Sequence, residues 1–281
     1  MELLEALSPF FDPCVSGAGT SGTRIIAIVG AGGKTAALFS LAESLVAQGV
    51  SVALTTTTQI RDPRYETGRR FDRVLIDASL MVAGTPIPDA FAGSSGPVAF
   101  AGEPFASGGI TVVAGATIVE GAKLQGIHPE KVRLLAGSFG AVLVEADGAK
   151  HLPVKAPAGH EPVVPEAASV VLGIIGLDCL GKPMDGRTVH RPELFGELVG
   201  CAVGQAIEAR HLASLARSER GLFKGGPPKA AKVLVFNKAD VLEREGLESF
   251  LERIDEERLD FDRILLCSRV RVPYDRIREL R

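Results

Sequence analysis

The sequence predicts an α/β fold, in which a doubly wound and mostly parallel sheet carries helices on both faces. Short apolar runs rich in Val, Ile, Leu and Ala recur along the chain, as expected for parallel strands that are buried on both faces. Amphipathic helical patterns separate several of these runs. The alternation of strand and helix is typical of a doubly wound sheet.

Six apolar runs are predicted to form this sheet, at residues 24–29, 51–55, 141–145, 169–175, 232–236 and 263–267. A helix follows the first strand, because apolar residues recur at spacings of three, four and seven between Ala37 and Val46. Gly49 supplies its C-terminal stop. A looser apolar face between Leu242 and Ile254 predicts a helix before the last strand.

Residues 61–140 depart from this alternation and are rich in Gly, Pro, Ala and Ser. Short β-like runs lie at 97–101 and 110–114, and a helix is predicted to begin near Pro129. We interpret the region as an elaborated insertion or sheet extension between the second core strand and the acidic third strand. The size of the chain permits one large domain, so we expect a single α/β domain over residues 1–281.

The amino-acid composition argues against nucleic acid and membranes as binding partners. With 31 Lys and Arg against 34 Asp and Glu, the chain has no broad positive field for nucleic acid, and two Tyr with no Trp leave few stacking platforms. The N-terminus lacks the pattern of a signal peptide, and the longest apolar stretch, 169–177, is far too short to span a membrane. Four cysteines form no CxxC pair, as expected in a reducing compartment. We expect a cytoplasmic protein with no nucleic-acid or membrane partner.

A glycine-rich turn follows the first predicted strand and opens the first helix. Its residues are Gly30, Ala31, Gly32, Gly33, Lys34 and Thr35. In this setting unpartnered backbone N–H groups and the positive helix end face phosphates, Lys34 adds a point charge, and the Thr35 hydroxyl is a candidate Mg²⁺ ligand. These features predict a sheet of P-loop NTPase type.

The glycine turn does not match the full phosphate-binding pattern. G-x-x-x-x-G-K-[ST] is not met because position 28 is Ile. The match is to a shortened GxxGKT loop, which resembles in length the loop of the Mur ligases. An ordinary strand-to-helix turn is the alternative.

Asn237, Lys238 and Asp240 form an N-K-x-D pattern at the carboxyl end of the fifth predicted strand. The pattern resembles the guanine-specificity motif of the GTPases, in which the Asp carboxylate accepts hydrogen bonds from guanine. Adenine offers no such donors, so the site favours GTP over ATP. Ser268 follows the next strand, 28 residues after Asp240, where a Ser-containing loop contacts guanine in GTPases. A helix N-cap at Asp240 is the alternative.

Glu145 and Asp147 follow the third predicted strand. An acidic residue at the end of a buried strand beside a phosphate loop can hold Mg²⁺ and position an attacking water. We therefore interpret Thr35, Glu145 and Asp147 as candidate metal ligands, and Lys34, Glu145 and Asp147 as candidate catalytic residues. A simple turn is the alternative. Four threonines at 55–58 lie at the same carboxyl edge of the predicted sheet. For these residues we expect a strand-forming role at least as much as a contact to Mg²⁺ or phosphate.

Residues 150–193 carry further polar side chains in Pro- and Gly-rich stretches after predicted strand ends, where binding loops of open α/β sheets gather. Lys155 and His160 are candidates for binding an anionic second substrate or for proton transfer. Arg191 is a candidate for stabilising phosphoryl charge. A loop hydrogen bond or a solvated charge is the alternative for each. The same stretches also contain Lys150, Glu161, Asp178 and His190.

Several segments of the chain form a distinctive series when taken in order. They are VGAGGKT at 29–35, LTTTTQI at 54–60, LVEADGAK at 143–150, PVKAPAGHEPVVP at 153–165, IGLDCLGKP at 175–183, VHRPE at 189–193 and FNKAD at 236–240. Together they resemble the YqeC family of accessory proteins for selenium-dependent hydroxylases. The resemblance implies a bacterial cytoplasmic protein that assists the maturation of selenium-dependent molybdenum hydroxylases. Such a hydroxylase, or its cofactor machinery, is then the client.

Three functions fit these patterns. The preferred one is a Mg²⁺-dependent nucleoside triphosphatase, using GTP or ATP, whose hydrolysis drives cofactor insertion or delivery. The second is a kinase or ligase that acts on a small anionic substrate bound by residues 150–193. The third is a non-catalytic chaperone in which bound nucleotide selects a conformation. A homodimer is common among P-loop maturation factors, and the residues leave this possibility open.

Overall fold

A nine-stranded sheet forms the centre of the molecule, and eight of its strands run parallel. The computed structural model describes residues 2–10, 24–84, 108–120 and 122–268, together with the backbone of 277–280. The α/β class with a mostly parallel sheet is therefore confirmed.

The described helices are α1 (Leu3–Leu7), α2 (Lys34–Ala47), α3 (Pro129–Leu135), α4 (Pro192–Val199), α5 (Ala209–Arg217) and α6 (Arg244–Glu256). The described strands are β1 (Arg24–Gly30), β2 (Val52–Thr56), β3 (Gln59–Arg61), β4 (Arg73–Ile76), β5 (Ile110–Ala114), β6 (Ala116–Ile118), β7 (Lys123–Gln125), β8 (Ala141–Glu145), β9 (Val154–Lys155), β10 (Val170–Gly176), β11 (Val189–His190), β12 (Ala231–Asn237), β13 (Arg263–Cys267) and β14 (Ile277–Leu280).

The strand order across the sheet places the glycine turn at its centre. The order is β4-β5-β2-β8-β1-β10-β12-β13-β14, and only β14 is antiparallel to its neighbour. Strand β1 lies between β8 and β10, with Ile28 opposite Glu145 and Gly30 opposite Ile174. Because the carboxyl ends of parallel strands meet at one edge, the residues that follow β1, β8, β10 and β12 gather there.

All six strands predicted for the sheet are present, with ends shifted by no more than one residue. They were recognisable because helices cover both faces, so each strand is a continuous apolar run. Leu38, Leu41 and Leu45 of α2 belong to the core on one face. Phe195 of α4 and Leu212 of α5 belong to the core on the other.

The helix predicted after the first strand is α2, and Gly49 lies two residues beyond its end with a φ of +79°. The helix predicted between Leu242 and Ile254 is α6, which precedes β13. Helix α3 begins at Pro129 as predicted. Helices α4 and α5 were not predicted.

The region 61–140 extends the sheet and adds a small second one. Strand β5 pairs with β2 and β4, and both β5 and β4 lie beyond β2 at the sheet edge. Strands β3, β7 and β6 form a separate antiparallel sheet that the sequence patterns did not indicate. The predicted β-like run at 97–101 lies outside the described residues.

Three of the cysteines, Cys179, Cys201 and Cys267, are buried free thiols, and Cys14 lies outside the described residues. Burial raises the pKa of Cys179 and of Cys267 to about 12, so both thiols stay protonated at neutral pH. Within the described ranges, none of the helices has the length and apolar character needed to cross a membrane.

Leu172→Ala tests whether the centre of the sheet is the core of the fold. Leu172 is fully buried on β10, so the truncation should lower the free energy of unfolding by about 2 to 5 kcal/mol. Val119→Ala is the control, because this residue is 91% exposed and should change stability by less than about 0.5 kcal/mol. Urea denaturation measures both, and equal effects would contradict the assigned core.

Candidate functional site

Three residues of the turn after β1 have backbone angles that favour glycine. Gly30, Gly32 and Gly33 have φ values of +94°, +82° and +135°, which residues with side chains rarely adopt. A Cβ at Gly32 would lie 2.4 Å from the Cα of Gly176 at the end of β10. The turn is therefore packed directly against a neighbouring strand end.

The backbone N–H groups of this turn are partly occupied by the protein itself. Ala31 donates to the carbonyl of Ile174 at 2.8 Å, and Gly32 donates to that of Leu152 at 3.1 Å. The expectation that the turn presents unpartnered N–H groups is wrong at these two residues, because β10 and the loop before β9 supply acceptors. The first-turn amides of α2 still lack partners within the helix and form its positive end.

Lys34 is buried beneath the turn and faces a carboxylate. Its Nζ donates to the carbonyl of Gly30 at 2.6 Å and lies 3.2 Å from Oδ1 of Asp147. Oδ1 has no partner with hydrogen-bond geometry among the described residues, so this second contact is purely electrostatic. The other oxygen, Oδ2, accepts from the N–H of Gly30 at 3.1 Å.

An alternating series of charges continues from Lys34 into the loops that follow. We call this series the charge chain, formed by Lys34, Asp147, Lys155, Glu161 and Arg191. Lys155 Nζ lies 2.9 Å from Asp147 Oδ2 and 2.8 Å from Glu161 Oε2, and Arg191 donates to the same Glu161 oxygen at 2.6 Å. The structure thus brings together four of the predicted catalytic residues.

Glu161 joins the chain although the sequence analysis named it only among the polar side chains of residues 150–193 and assigned it no role. Its cationic partners Arg191 and Lys155 outweigh the effect of burial and lower its pKa to about 2, so it is ionised at neutral pH. The neighbouring His160, a predicted catalytic residue, is exposed instead. The only signal for Glu161 was its place in the GHEP segment beside that histidine.

Thr35 and Glu145 form the other polar pair at the turn. The hydroxyl of Thr35, in the first turn of α2, donates to Oε2 of Glu145 at the end of β8 at 2.9 Å. Burial raises the pKa of Glu145, and the nearby Lys34 opposes that effect.

The side-chain oxygens of Thr35 and Glu145 are suitable ligands for Mg²⁺. This ion usually completes its coordination shell with water molecules and phosphate oxygens. The described residues contain no cluster of three or more His, Cys, Asp or Glu side chains that would hold a metal alone. Asp147, also predicted as a ligand, instead contacts two lysines in this structure.

The N-K-x-D segment reaches the glycine turn. Asn237 Nδ2 donates to the carbonyl of Gly32 at 2.7 Å, and its buried Oδ1 has no partner in the part of the chain that the structure describes. Lys238 pairs with Asp178 at 2.7 Å. Asp240 is exposed, and because the N-cap of α6 is Glu243, the alternative that Asp240 caps this helix is wrong.

The remaining predicted residues have simpler positions. Ser268 lies directly after β13, the strand next to β12. The hydroxyls of Thr55, Thr56 and Thr57 donate to backbone carbonyls, which supports a structural role for these threonines rather than a ligand contact.

The fold and the site together define an α/β protein with a buried lysine, a glycine turn and an acidic strand end at the carboxyl edge of a parallel sheet. Residues 26–193 match the sequence model of the YqeC protein family. A protein of Escherichia coli (strain K12), described as the uncharacterized protein YqeC, is 30% identical over 232 residues, covering 81% of this chain and 80% of that relative. The chain belongs to the YqeC family.

The matched residues contain the glycine turn and the whole charge chain, whereas Asn237 lies beyond them. No solved structure matches the chain. The family comparison therefore adds no established chemistry, and the function must be argued from the site.

Glu161→Gln tests the charge chain through its pH dependence. Because the folded-state pKa of Glu161 is about 2, its stabilisation is complete above the unfolded value of about 4.3 and is lost as pH falls toward 2. The wild-type chain should exceed the variant in unfolding free energy by on the order of 2 to 3 kcal/mol at pH 7, and this difference should shrink below about pH 4.

Urea denaturation at several pH values measures this difference. Glu166→Gln is the matched control, since Glu166 is an exposed glutamate in the same segment and its loss should cost less than about 0.5 kcal/mol. A Glu161 effect that is independent of pH would contradict the ion-pair interpretation.

Proposed function

We propose that this chain binds a Mg²⁺–nucleoside triphosphate at the carboxyl edge of its sheet and hydrolyses it, as a P-loop NTPase. The observation that carries the proposal is the position of Lys34. It lies in a glycine turn between a buried strand and a helix, opposite an acidic strand end. This is the arrangement in which a helix end and a lysine bind phosphate groups.

The order of the strands supports the same proposal. Strand β8, which ends in Glu145, is the direct neighbour of β1. Glu145 and the Thr35 hydroxyl are thereby available to bind one metal ion together, either directly or through water. When bound, Mg²⁺ neutralises charge that develops on the phosphates.

Lys34 is the residue that we propose binds the β- and γ-phosphates. In this structure its charge is balanced by Asp147. A triphosphate offers more negative charge than one carboxylate, and the contact to Asp147 lacks hydrogen-bond geometry. Lys34 is therefore placed to exchange Asp147 Oδ1 for a phosphate oxygen.

The proposed base site lies beside Asn237, with Asp240 as the group that selects GTP over ATP and Ser268 as a further contact. The hydrogen bond from Asn237 to Gly32 supports this assignment, because it joins the motif to the phosphate loop. Lys238 is held nearby by Asp178.

The family resemblance suggests the biological setting. We propose that nucleotide turnover serves the maturation of a selenium-dependent molybdenum hydroxylase in the cytoplasm, with that enzyme or its cofactor machinery as client. Steady-state phosphate release distinguishes this role from that of a non-catalytic nucleotide-gated chaperone, which binds nucleotide without turning it over.

Lys34→Ala tests the phosphate loop. Loss of a charge-assisted contact should weaken Mg²⁺–GTP and Mg²⁺–ATP binding by roughly 10- to 100-fold in isothermal titration. Lys229→Ala removes the same charge from an exposed position and should leave both affinities unchanged. Full nucleotide affinity in Lys34→Ala would end the proposal.

Glu145→Gln tests the metal site. A bound metal needs the ionised carboxylate, so the raised pKa of Glu145 should make Mg²⁺-dependent turnover increase with pH above the ordinary glutamate range. The variant should lower apparent Mg²⁺ affinity at least roughly tenfold and remove that rise. Glu252→Gln, an exposed glutamate on α6, serves as the control. An unchanged Mg²⁺ dependence in Glu145→Gln would exclude Glu145 from the metal site.

A further inference from the structure

Glu161 is held in the way that proteins hold a bound anion. A single oxygen, Oε2, accepts from Lys155 at 2.8 Å and from Arg191 at 2.6 Å. Both donors are charged, and charge-assisted hydrogen bonds of this kind are the usual means of binding carboxylate and phosphate. The two cations thus form a site whose occupant, in this structure, is a side chain of the same protein.

The two cations of the site differ in exposure. The Lys155 side chain is only 1% exposed and forms the floor, whereas the Arg191 side chain is 23% exposed. Lys155 is fixed there by the carbonyl of Gly148 at 2.7 Å as well as by Asp147. An incoming anion can therefore approach from the Arg191 side and meet a lysine that is already positioned.

The site lies next to the proposed phosphate loop. Lys155 contacts Asp147, and Asp147 contacts both Lys34 and the N–H of Gly30. Only one carboxylate separates the two buried lysines. A ligand on Lys155 and Arg191 would thus be a close neighbour of a phosphate bound to Lys34.

The backbone around the site is held in conformations that are uncommon for residues with side chains. Lys150, His151 and Arg191 have φ values of +48°, +61° and +67°. Such residues are enriched at ligand-binding positions and persist only where the surroundings fix them. Here β9 and β11 pair, with Lys155 opposite His190, and Arg191 also donates to the carbonyl of Ala156 at 3.3 Å.

The local field stays positive even with Glu161 in place. Burial lowers the pKa of His190, and the charges of Arg191, Lys155 and Lys150 lower it further, while Glu161 only partly opposes them. Helix α4 begins directly after Arg191, so its positive end adds to this field. Both the arrangement of the donors and the positive charges around them favour an anion as the ligand.

We propose that Lys155 and Arg191 form a subsite for the carboxylate or phosphate group of a small anionic second substrate, and that Glu161 occupies this subsite until the substrate displaces it. The inference rests on the proposed function for its meaning, because it places the second substrate beside the nucleotide phosphates. It specifies the chemical class of that substrate and the two residues that bind it.

The test is isothermal titration of inorganic phosphate, and separately of acetate, into the full chain saturated with Mg²⁺ and a non-hydrolysable nucleotide. Phosphate or acetate should bind the wild-type chain. Glu161→Gln, which removes the competing charge, should bind the preferred anion at least about tenfold more tightly, and Arg191→Gln at least about tenfold more weakly. Arg187→Gln is the matched control, since it removes a positive charge from an exposed position of the same segment.

The anion that binds more tightly identifies the recognised group. No binding of either anion to wild-type chain, or equal weakening by Arg191→Gln and Arg187→Gln, would overturn the proposal. If Glu161→Gln is too unstable to titrate, the comparison of wild type with the two arginine variants decides alone.

Nucleotide binding is measured first on the same samples, and its failure counts against the proposed function only. The anion titration is then repeated without nucleotide. Without nucleotide, anion binding that is weakened by Arg191→Gln and unchanged by Arg187→Gln supports the subsite, whatever the result for nucleotide.

Discussion

The site depends on Asp147, a carboxylate that lies between two buried lysines. It contacts Lys34 and Lys155 and accepts from the N–H of Gly30. A buried charge is tolerated only when it is paired and hydrogen-bonded, and removal of one partner leaves the other uncompensated. The glycine turn, the segment that follows β8 and the short strand β9 are therefore linked as one electrostatic unit.

This constraint explains how a lysine is tolerated in a buried position at the turn. Lys34 and Lys155 are each paired with carboxylates of the chain itself, so both side chains are held in position before a ligand arrives. A ligand then competes with internal carboxylates rather than with water. At Lys34 such competition favours an anion that carries more charge than the single carboxylate of Asp147, as a triphosphate does.

The elements that the sequence predicted correctly have a strong local signal. The six core strands are covered on both faces and read as continuous apolar runs, and α2 has a regular apolar stripe. Strands β9 and β11 contain two residues each, which is too short for any periodicity to be seen. The same limit applies to β3, β6 and β7, with three residues each.

The site shows the same division between local and long-range signals. The proximity of Lys34, Thr35, Glu145 and Asn237 could be predicted because each lies at or just after a strand end, and the parallel sheet brings these ends together. The occupied N–H groups of Ala31 and Gly32 were missed because their acceptors, Ile174 and Leu152, are far away in sequence. Glu161 was named without a role, because the ion pair that holds it includes Arg191, which lies 30 residues further along.

Exchange of Asp147 for a phosphate at Lys34 can be observed in a crystal structure of the chain with Mg²⁺ and a non-hydrolysable GTP analogue. Lys34 Nζ should contact a phosphate oxygen and should have left Oδ1 of Asp147, with the base beside Asn237. A nucleotide bound elsewhere, with the contact between Lys34 and Asp147 intact, would contradict it.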